Sequence, residues 1–147
     1  MRMDLLPAVL LASIGLAGVG CAAPEPDTPA TASLVNTYWK LQSIGGQPAT
    51  VTENQREPHF VLHIDERRVA GFAGCNQLMG RYETTGATLR FEDLGSTLMA
   101  CEHGMEMEGA FLLALRDTAR WKIVGEKLEL FDEAGKSLAK FESVYLK

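Results

Sequence analysis

Apolar and polar residues alternate over much of the chain after residue 34, which is the pattern of half-buried β-strands. In the clearest run, Phe60, Leu62 and Ile64 alternate with other residues. Glycine pairs, prolines and acidic turns separate the runs. The pattern predicts about seven or eight short strands, at residues 35–44, 60–64, 69–73, 81–83, 87–91, 120–124, 127–131 and 137–146. The inward anchors of the last two strands are expected to be Leu128, Leu130, Leu138 and Phe141.

The period changes to that of a helix between residues 102 and 119. An apolar stripe repeats at spacings of three and four residues, at Met107, Ala110, Phe111, Ala114, Leu115 and Thr118. The acidic side chains Glu106 and Glu108 are expected to avoid this stripe. Helices and strands do not alternate regularly, so the sheet is expected to be antiparallel. The predicted fold class is mainly β (α+β): an antiparallel curved sheet or small barrel with one amphipathic helix packed on it.

The first twenty residues resemble an export signal. Residues 5–20 are apolar, and this run of sixteen is shorter than the roughly 20 residues that span a bilayer. Residues 17–21 resemble a bacterial lipobox, which predicts cleavage before Cys21 and lipidation of that cysteine. The alternative is an ordinary secretory signal in which Cys21 is incidental. Ala22, rather than Asp, follows the cysteine, which favours the outer membrane, facing the periplasm.

The expected domain organisation follows from this leader. Residues 1–20 are the predicted lipoprotein signal peptide, and residues 21–33 are the lipidated cysteine with a tether that contains three prolines and no large apolar side chain. Residues 34–147 are the predicted folded domain. The net charge is −5 and the lysines and arginines are scattered, so we expect no nucleic-acid partner.

Three groups of residues could carry chemistry. Cys75 and Cys101 are predicted to form a disulfide in an oxidising compartment, with two unbonded cysteines, or a metal site completed by His103, as alternatives. Asn76 is expected to fix a tight loop by bonding local backbone through its side-chain amide, the alternative being a ligand contact. The methionines 99, 105 and 107 are expected to pack helix against sheet, the alternative being a Cu(I) site.

Catalytic and cofactor motifs are not recognisable in the sequence. His59 and His63 would lie about 13 Å apart on a strand, too far to share one ion, and are expected to face solvent. The acidic pair Asp65 and Glu66 is expected to lie in a hairpin turn, with no carboxylate placed opposite for acid–base catalysis. The glycines form neither a P-loop nor a dinucleotide fingerprint. We therefore expect no enzyme, no cofactor and no metal.

Segments spread over the whole predicted domain resemble the META domain, also called the HslJ family. They are residues 36–41, 71–76, 80–82 and 97–101, and the motif residues are Gly74, Cys75, Asn76, Thr97, Met99, Ala100 and Cys101. The chain has Leu98 where the family often has arginine. The resemblance implies a mainly β fold with one helix, in bacterial envelope proteins that are often lipoproteins. Some members are heat-inducible, and no catalytic activity is assigned to the domain generally.

Three functions are compatible with these observations. The first is a non-enzymatic envelope lipoprotein, a monomer that acts in stress response or maintenance through an unknown protein partner. The second is a barrel that binds a small hydrophobic ligand, lined by Trp39, Phe60, Phe72 and Trp121. The third is a periplasmic enzyme inhibitor that inserts the loop at residues 47–57.

Overall fold

The computed structural model describes residues 30–51 and 55–145. The described chain forms nine strands and one α-helix, with a short 3₁₀ turn at Asp65–Arg67. In chain order they are β1 (Tyr38–Ile44), β2 (Gln47–Pro48), β3 (His59–His63), β4 (Arg68–Phe72), β5 (Gln77–Thr85), β6 (Thr88–Ser96), α1 (Met105–Asp117), β7 (Arg120–Val124), β8 (Lys127–Phe131) and β9 (Ser137–Val144). The predicted leader and residues 21–29 of the predicted tether lie outside the described residues.

All strand pairings are antiparallel, and the sheet closes on itself. The strands follow the order β2-β1-β3-β4-β5-β6-β7-β8-β9, and β9 also pairs with β1, where Leu41 is opposite Phe141. Closure leaves few free strand edges, which limits pairing with other chains. The predicted fold class is confirmed: a curved, ring-like antiparallel sheet carries one helix. The structure has one strand more than the predicted seven or eight. The additional strand is β2, which has two residues and forms a hairpin with β1.

Alternating side chains of the strands fill the inside of the ring. Trp39 and Phe60 are fully buried, and the Phe60 ring lies 4.9 Å from the ring of Phe141. Leu128, Leu130 and Phe141 are buried as predicted. Leu138 is only partly buried, because the buried positions of β9 are Ala139, Phe141 and Ser143.

Helix α1 connects the two neighbouring strands that pair least in the ring. Strands β6 and β7 pair only at Thr88 and Arg120, and α1 connects the two strands in the chain. The apolar stripe of the helix is directed at the core, where Phe111 and Leu115 are fully buried and the Phe111 ring lies 5.9 Å from that of Phe141. The helix therefore contributes its apolar stripe to the core inside the ring. No helix in residues 30–51 and 55–145 has the length and apolar character needed to cross a membrane.

One outward-facing residue is buried against expectation. His59 was expected to face solvent, but only 5% of it is exposed. The Tyr38 ring from the neighbouring strand stacks on the imidazole, with the ring centroids 4.1 Å apart. On the other side, Gly71 allows β4 to approach closely, because a Cβ there would collide with the backbone of His59. The solvent-facing prediction was therefore wrong for His59, because residues from two other strands cover it.

Candidate functional site

The predicted disulfide is present and ties the end of β4 to the segment before α1. Cys75 and Cys101 are bonded, with their Cα atoms 5.9 Å apart and a sequence separation of 26. Cys75 is buried, whereas Cys101 is half-buried. Because each sulfur is bonded to the other, neither thiolate is free to bind a metal with His103. Among the described residues, no group of three or more His, Cys, Asp and Glu side chains is placed to hold a metal ion.

A buried carboxylate lies beside the disulfide. Glu108, in the first turn of α1, is 6% exposed, although the helical pattern predicted an outward position. Its Oε2 accepts hydrogen bonds from the backbone N–H groups of Cys75 (3.2 Å) and Asn76 (2.6 Å). Its Oε1 accepts from Asn76 Nδ2 (3.0 Å) and from the Ser96 hydroxyl (3.4 Å). Four donors thus satisfy the buried charge in place of a cation.

The Asn76 side chain connects this carboxylate to the segment after β6. Its Oδ1 accepts from the backbone N–H of Met99 (2.7 Å) and from the Thr97 hydroxyl (2.9 Å). Its Nδ2 donates to the Met99 carbonyl (3.1 Å) as well as to Glu108. The Asn76 amide therefore does fix a loop, but the prediction that it bonds local backbone was wrong, because its backbone partner lies 23 residues away in sequence. We call Asn76, Thr97 and Glu108 the polar clamp.

The start of α1 depends on a close backbone contact. Gly104, the residue before the helix, has a φ of 93°, and a Cβ there would lie 2.6 Å from the carbonyl oxygen of Gly74. Any other residue would meet both a left-handed conformation and this collision. The motif residue Gly74 and Gly104 thus allow the disulfide loop to lie directly on the end of the helix that carries Glu108.

The loop at residues 97–101 is fixed at both ends but presents apolar side chains to solvent. Leu98 is 96% exposed and Met99 is 60% exposed, and Met105 at the start of α1 is 48% exposed. The prediction that Met99 and Met105 pack helix against sheet was therefore wrong, and only Met107 packs on the core. The polar clamp and the disulfide hold the backbone of this loop, so these side chains have no core to enter. We call Leu98, Met99 and Met105 the apolar tips.

Other residues named from the sequence lie elsewhere or have structural roles. Trp39 and Phe60 are buried core residues, while Phe72 and Trp121 are only half-buried. His59 Nδ1 donates a hydrogen bond to the Glu57 carbonyl (2.9 Å), and burial lowers the pKa of its imidazole. Desolvation, with the Glu57 carboxylate nearby, raises the pKa of Tyr38 to about 12. These groups form a packed cluster on the outer face of β1 and β3.

The polar groups of the clamp have a structural role, because they bond to one another and to the backbone. The carboxylate of Glu108 and the amide of Asn76 are occupied by each other and by backbone groups. Glu108 was missed in the sequence, although its position three residues before Phe111 and seven before Leu115 places it on the buried face of the helix. The spacing of Glu108 to the buried residues Phe111 and Leu115 was the signal that could have predicted its burial.

Comparison with known proteins identifies the family. The family profile described as "META domain" matches residues 32–145. The chain belongs to the META domain family. The resemblance that the motif residues suggested is therefore confirmed, and the clamp, the disulfide and the apolar tips all lie within this META domain.

Solved structures agree with the fold of this META domain. An NMR structure of a protein from Burkholderia xenovorans is 27% identical, covers 88% of this chain and 97% of its own, and superposes with a TM-score of 0.63. A second NMR structure is 21% identical, with 72% of this chain and 88% of its own covered and a TM-score of 0.56, and it supports the fold alone. No curated protein matches the chain.

Proposed function

We propose that this META-domain protein is a non-enzymatic lipoprotein of the bacterial cell envelope, anchored through Cys21 to the outer membrane and facing the periplasm. In this proposal it contributes to envelope stress response or maintenance through contacts with an envelope protein. The apolar tips are the contact surface. The single observation that carries the proposal is that Leu98 is 96% exposed on a loop whose backbone is held at both ends.

Two physical arguments support a binding role for this loop. Large apolar side chains that cluster in solvent mark interaction sites, and methionine is enriched in interfaces. A loop that is already ordered loses less conformational entropy on binding than a flexible one. The clamp and the disulfide supply that order before any partner arrives.

The interior of the ring does not favour the ligand-binding alternative. Trp39 and Phe60, two of the side chains that were expected to line a cavity, are fully buried in mutual packing with the core. The Phe60 ring contacts the rings of both Phe91 and Phe141. Side chains therefore occupy the space that a hydrophobic ligand would need.

The proposal is tested by a change at the most exposed tip. Leu98→Asp removes apolar surface and adds a charge. Because Leu98 makes almost no packing contact, the free energy of unfolding should change by less than about 0.5 kcal/mol. We expect this variant to fold normally but to fail to restore growth under envelope stress in cells that lack the protein. The matched control is Leu113→Asp, at a site 57% exposed on the outer face of α1, which should restore growth.

Two outcomes would contradict the proposal. If Leu98→Asp restores growth as well as the unaltered protein, the apolar tips are not the contact surface. If Cys21→Ala remains membrane-bound and is processed at the same bond, the lipid anchor is wrong. The two variants therefore test the contact and the anchor separately.

A further inference from the structure

The N-terminal segment meets the domain at the tip of the β7–β8 hairpin. The backbone N–H of Ala32 donates to the carbonyl of Gly125 (2.9 Å), and Ala32 is buried. Ala30, the first described residue, lines a surface hollow of about 550 Å³ together with Val124, Gly125 and Tyr145. Any chain that continues toward Cys21 must therefore leave the domain beside this hairpin tip.

Two large apolar side chains are exposed beside that point. Val124 is 64% exposed and Tyr145 is 62% exposed, and both line the same hollow as Ala30. Tyrosine is enriched where proteins meet the headgroup layer of a membrane, since its ring is apolar and its hydroxyl is polar. An apolar pair at the exit of a tether differs from apolar residues scattered singly, which need no explanation.

Lysines border the same region. A second hollow of about 440 Å³ shares Val124 and Lys127 with the first and adds Lys122 and Lys140. Lys140 forms a salt bridge with Glu129 (3.5 Å). Within the described residues, the ammonium groups of Lys122 and Lys127 lie in no salt bridge. Two cations are therefore available to an external anion.

The charge distribution makes this face better suited to an anionic surface than the acidic stretch at residues 91–115. Glu126, Glu129 and Glu142 also line the two hollows, so three acids balance the three lysines of this face. The whole chain, however, carries −5. Residues 91–115 contain acids but no lysine or arginine; the acids are Glu92, Asp93, Glu102, Glu106 and Glu108. An anionic membrane would repel that stretch and would tolerate the lysine-bearing hairpin.

The length of the tether brings this face close to the membrane. Nine peptide steps separate Cys21 from Ala30 in the sequence. At a maximum of about 3.4 Å per residue they span about 30 Å. A lipid on Cys21 would therefore keep the hairpin tip within that distance of the bilayer surface.

We propose that Lys122, Val124, Lys127 and Tyr145 form a membrane-docking face that rests on the headgroup layer of an anionic phospholipid bilayer. The two ammonium groups contact lipid phosphates, while Val124 and the Tyr145 ring enter the interface. This inference rests on the proposed lipid anchor and adds an orientation to it: the domain lies on the membrane instead of hanging free on its tether.

The test measures contact between the domain and lipid in the mature lipoprotein, reconstituted in vesicles of phosphatidylethanolamine and phosphatidylglycerol. A fluorophore is attached to Val124→Cys, which supplies a free thiol because Cys75 and Cys101 are bonded to each other. Headgroup nitroxide lipids then quench the fluorophore on contact. The matched control is Leu113→Cys, whose site is similarly exposed (57% against 64%) on α1. We expect strong quenching at position 124 and weak quenching at position 113.

A second variant tests the lysines. Lys122→Gln combined with Lys127→Gln should lower the ratio of docked to undocked protein by roughly fivefold per lysine. Both sites are exposed, so the fold should be retained, as thermal unfolding can verify. Quenching that is unchanged by the double substitution would overturn the role of the lysines.

The possible failures are distinguishable. A protein that does not co-sediment with the vesicles has no lipid anchor, which contradicts the proposed function and with it this inference. A protein that co-sediments but shows equal quenching at positions 124 and 113 is anchored without docking, which overturns the inference alone.

Discussion

Removing the buried carboxylate of Glu108 should destabilise the domain strongly. Glu108→Ala leaves the backbone N–H groups of Cys75 and Asn76 without their acceptor in a buried site. Each unsatisfied buried donor costs about 1–3 kcal/mol, so the two together predict a loss of about 4 kcal/mol. For a domain of this size, that corresponds to a fall of about 15 °C in Tm. Urea unfolding followed by tryptophan fluorescence measures the free energy directly.

The matched control for this change lies two residues earlier. Glu106 is also in the first turn of α1 but is exposed, so Glu106→Ala should cost less than about 0.5 kcal/mol. Glu108→Gln retains one carbonyl acceptor and should fall between the two. If Glu108→Ala costs under about 1 kcal/mol, or no more than Glu106→Ala, then the four hydrogen bonds do not hold the loop as we argue.

Two further predictions concern the disulfide and the buried histidine. Replacing both Cys75 and Cys101 by alanine should lower the free energy of unfolding by about 3.5 kcal/mol in the chain-entropy model. A reductant should lower the urea midpoint of the unaltered protein and leave that of the double variant unchanged. If the reductant does not change the midpoint of the unaltered protein, the bridge is contradicted. Burial lowers the pKa of His59, so the unfolded chain binds a proton more readily and stability should fall as the pH drops from about 6.5 through the folded pKa. The free energy of unfolding of His59→Gln, measured from about pH 8 to about pH 4, should lack this fall in stability. Identical pH profiles for His59→Gln and the unaltered protein would contradict the role of His59.

Local patterns predicted the elements well because each depends on neighbouring residues. The alternation around Phe60 and Leu62 corresponds to β3, and the stripe through Phe111 and Leu115 corresponds to the buried face of α1. The pairing of Cys75 with Cys101 was also predictable, since few other partners were available in the chain.

Contacts between distant segments could not be read in the same way. His59 is buried because Tyr38 stacks on it from another strand. The partners of Asn76 lie about twenty to thirty residues further along the chain. The exposure of Met99 results from the clamp on its backbone, and methionine composition alone favoured burial. These outcomes depend on which segments the ring brings together.

The pairing of β1 with β9 has a consequence for biogenesis. The earliest strand of the domain and the latest one are hydrogen-bonded neighbours, with Trp39 opposite Ser143. Synthesis and any passage through a secretion channel deliver these strands at opposite ends of the process, so the sheet cannot close until the final segment arrives. Non-local pairing of this kind slows folding, and a chain that ends before β9 leaves β1 and β8 as open edges. A nascent or truncated form should therefore depend on chaperones until β9 is in place.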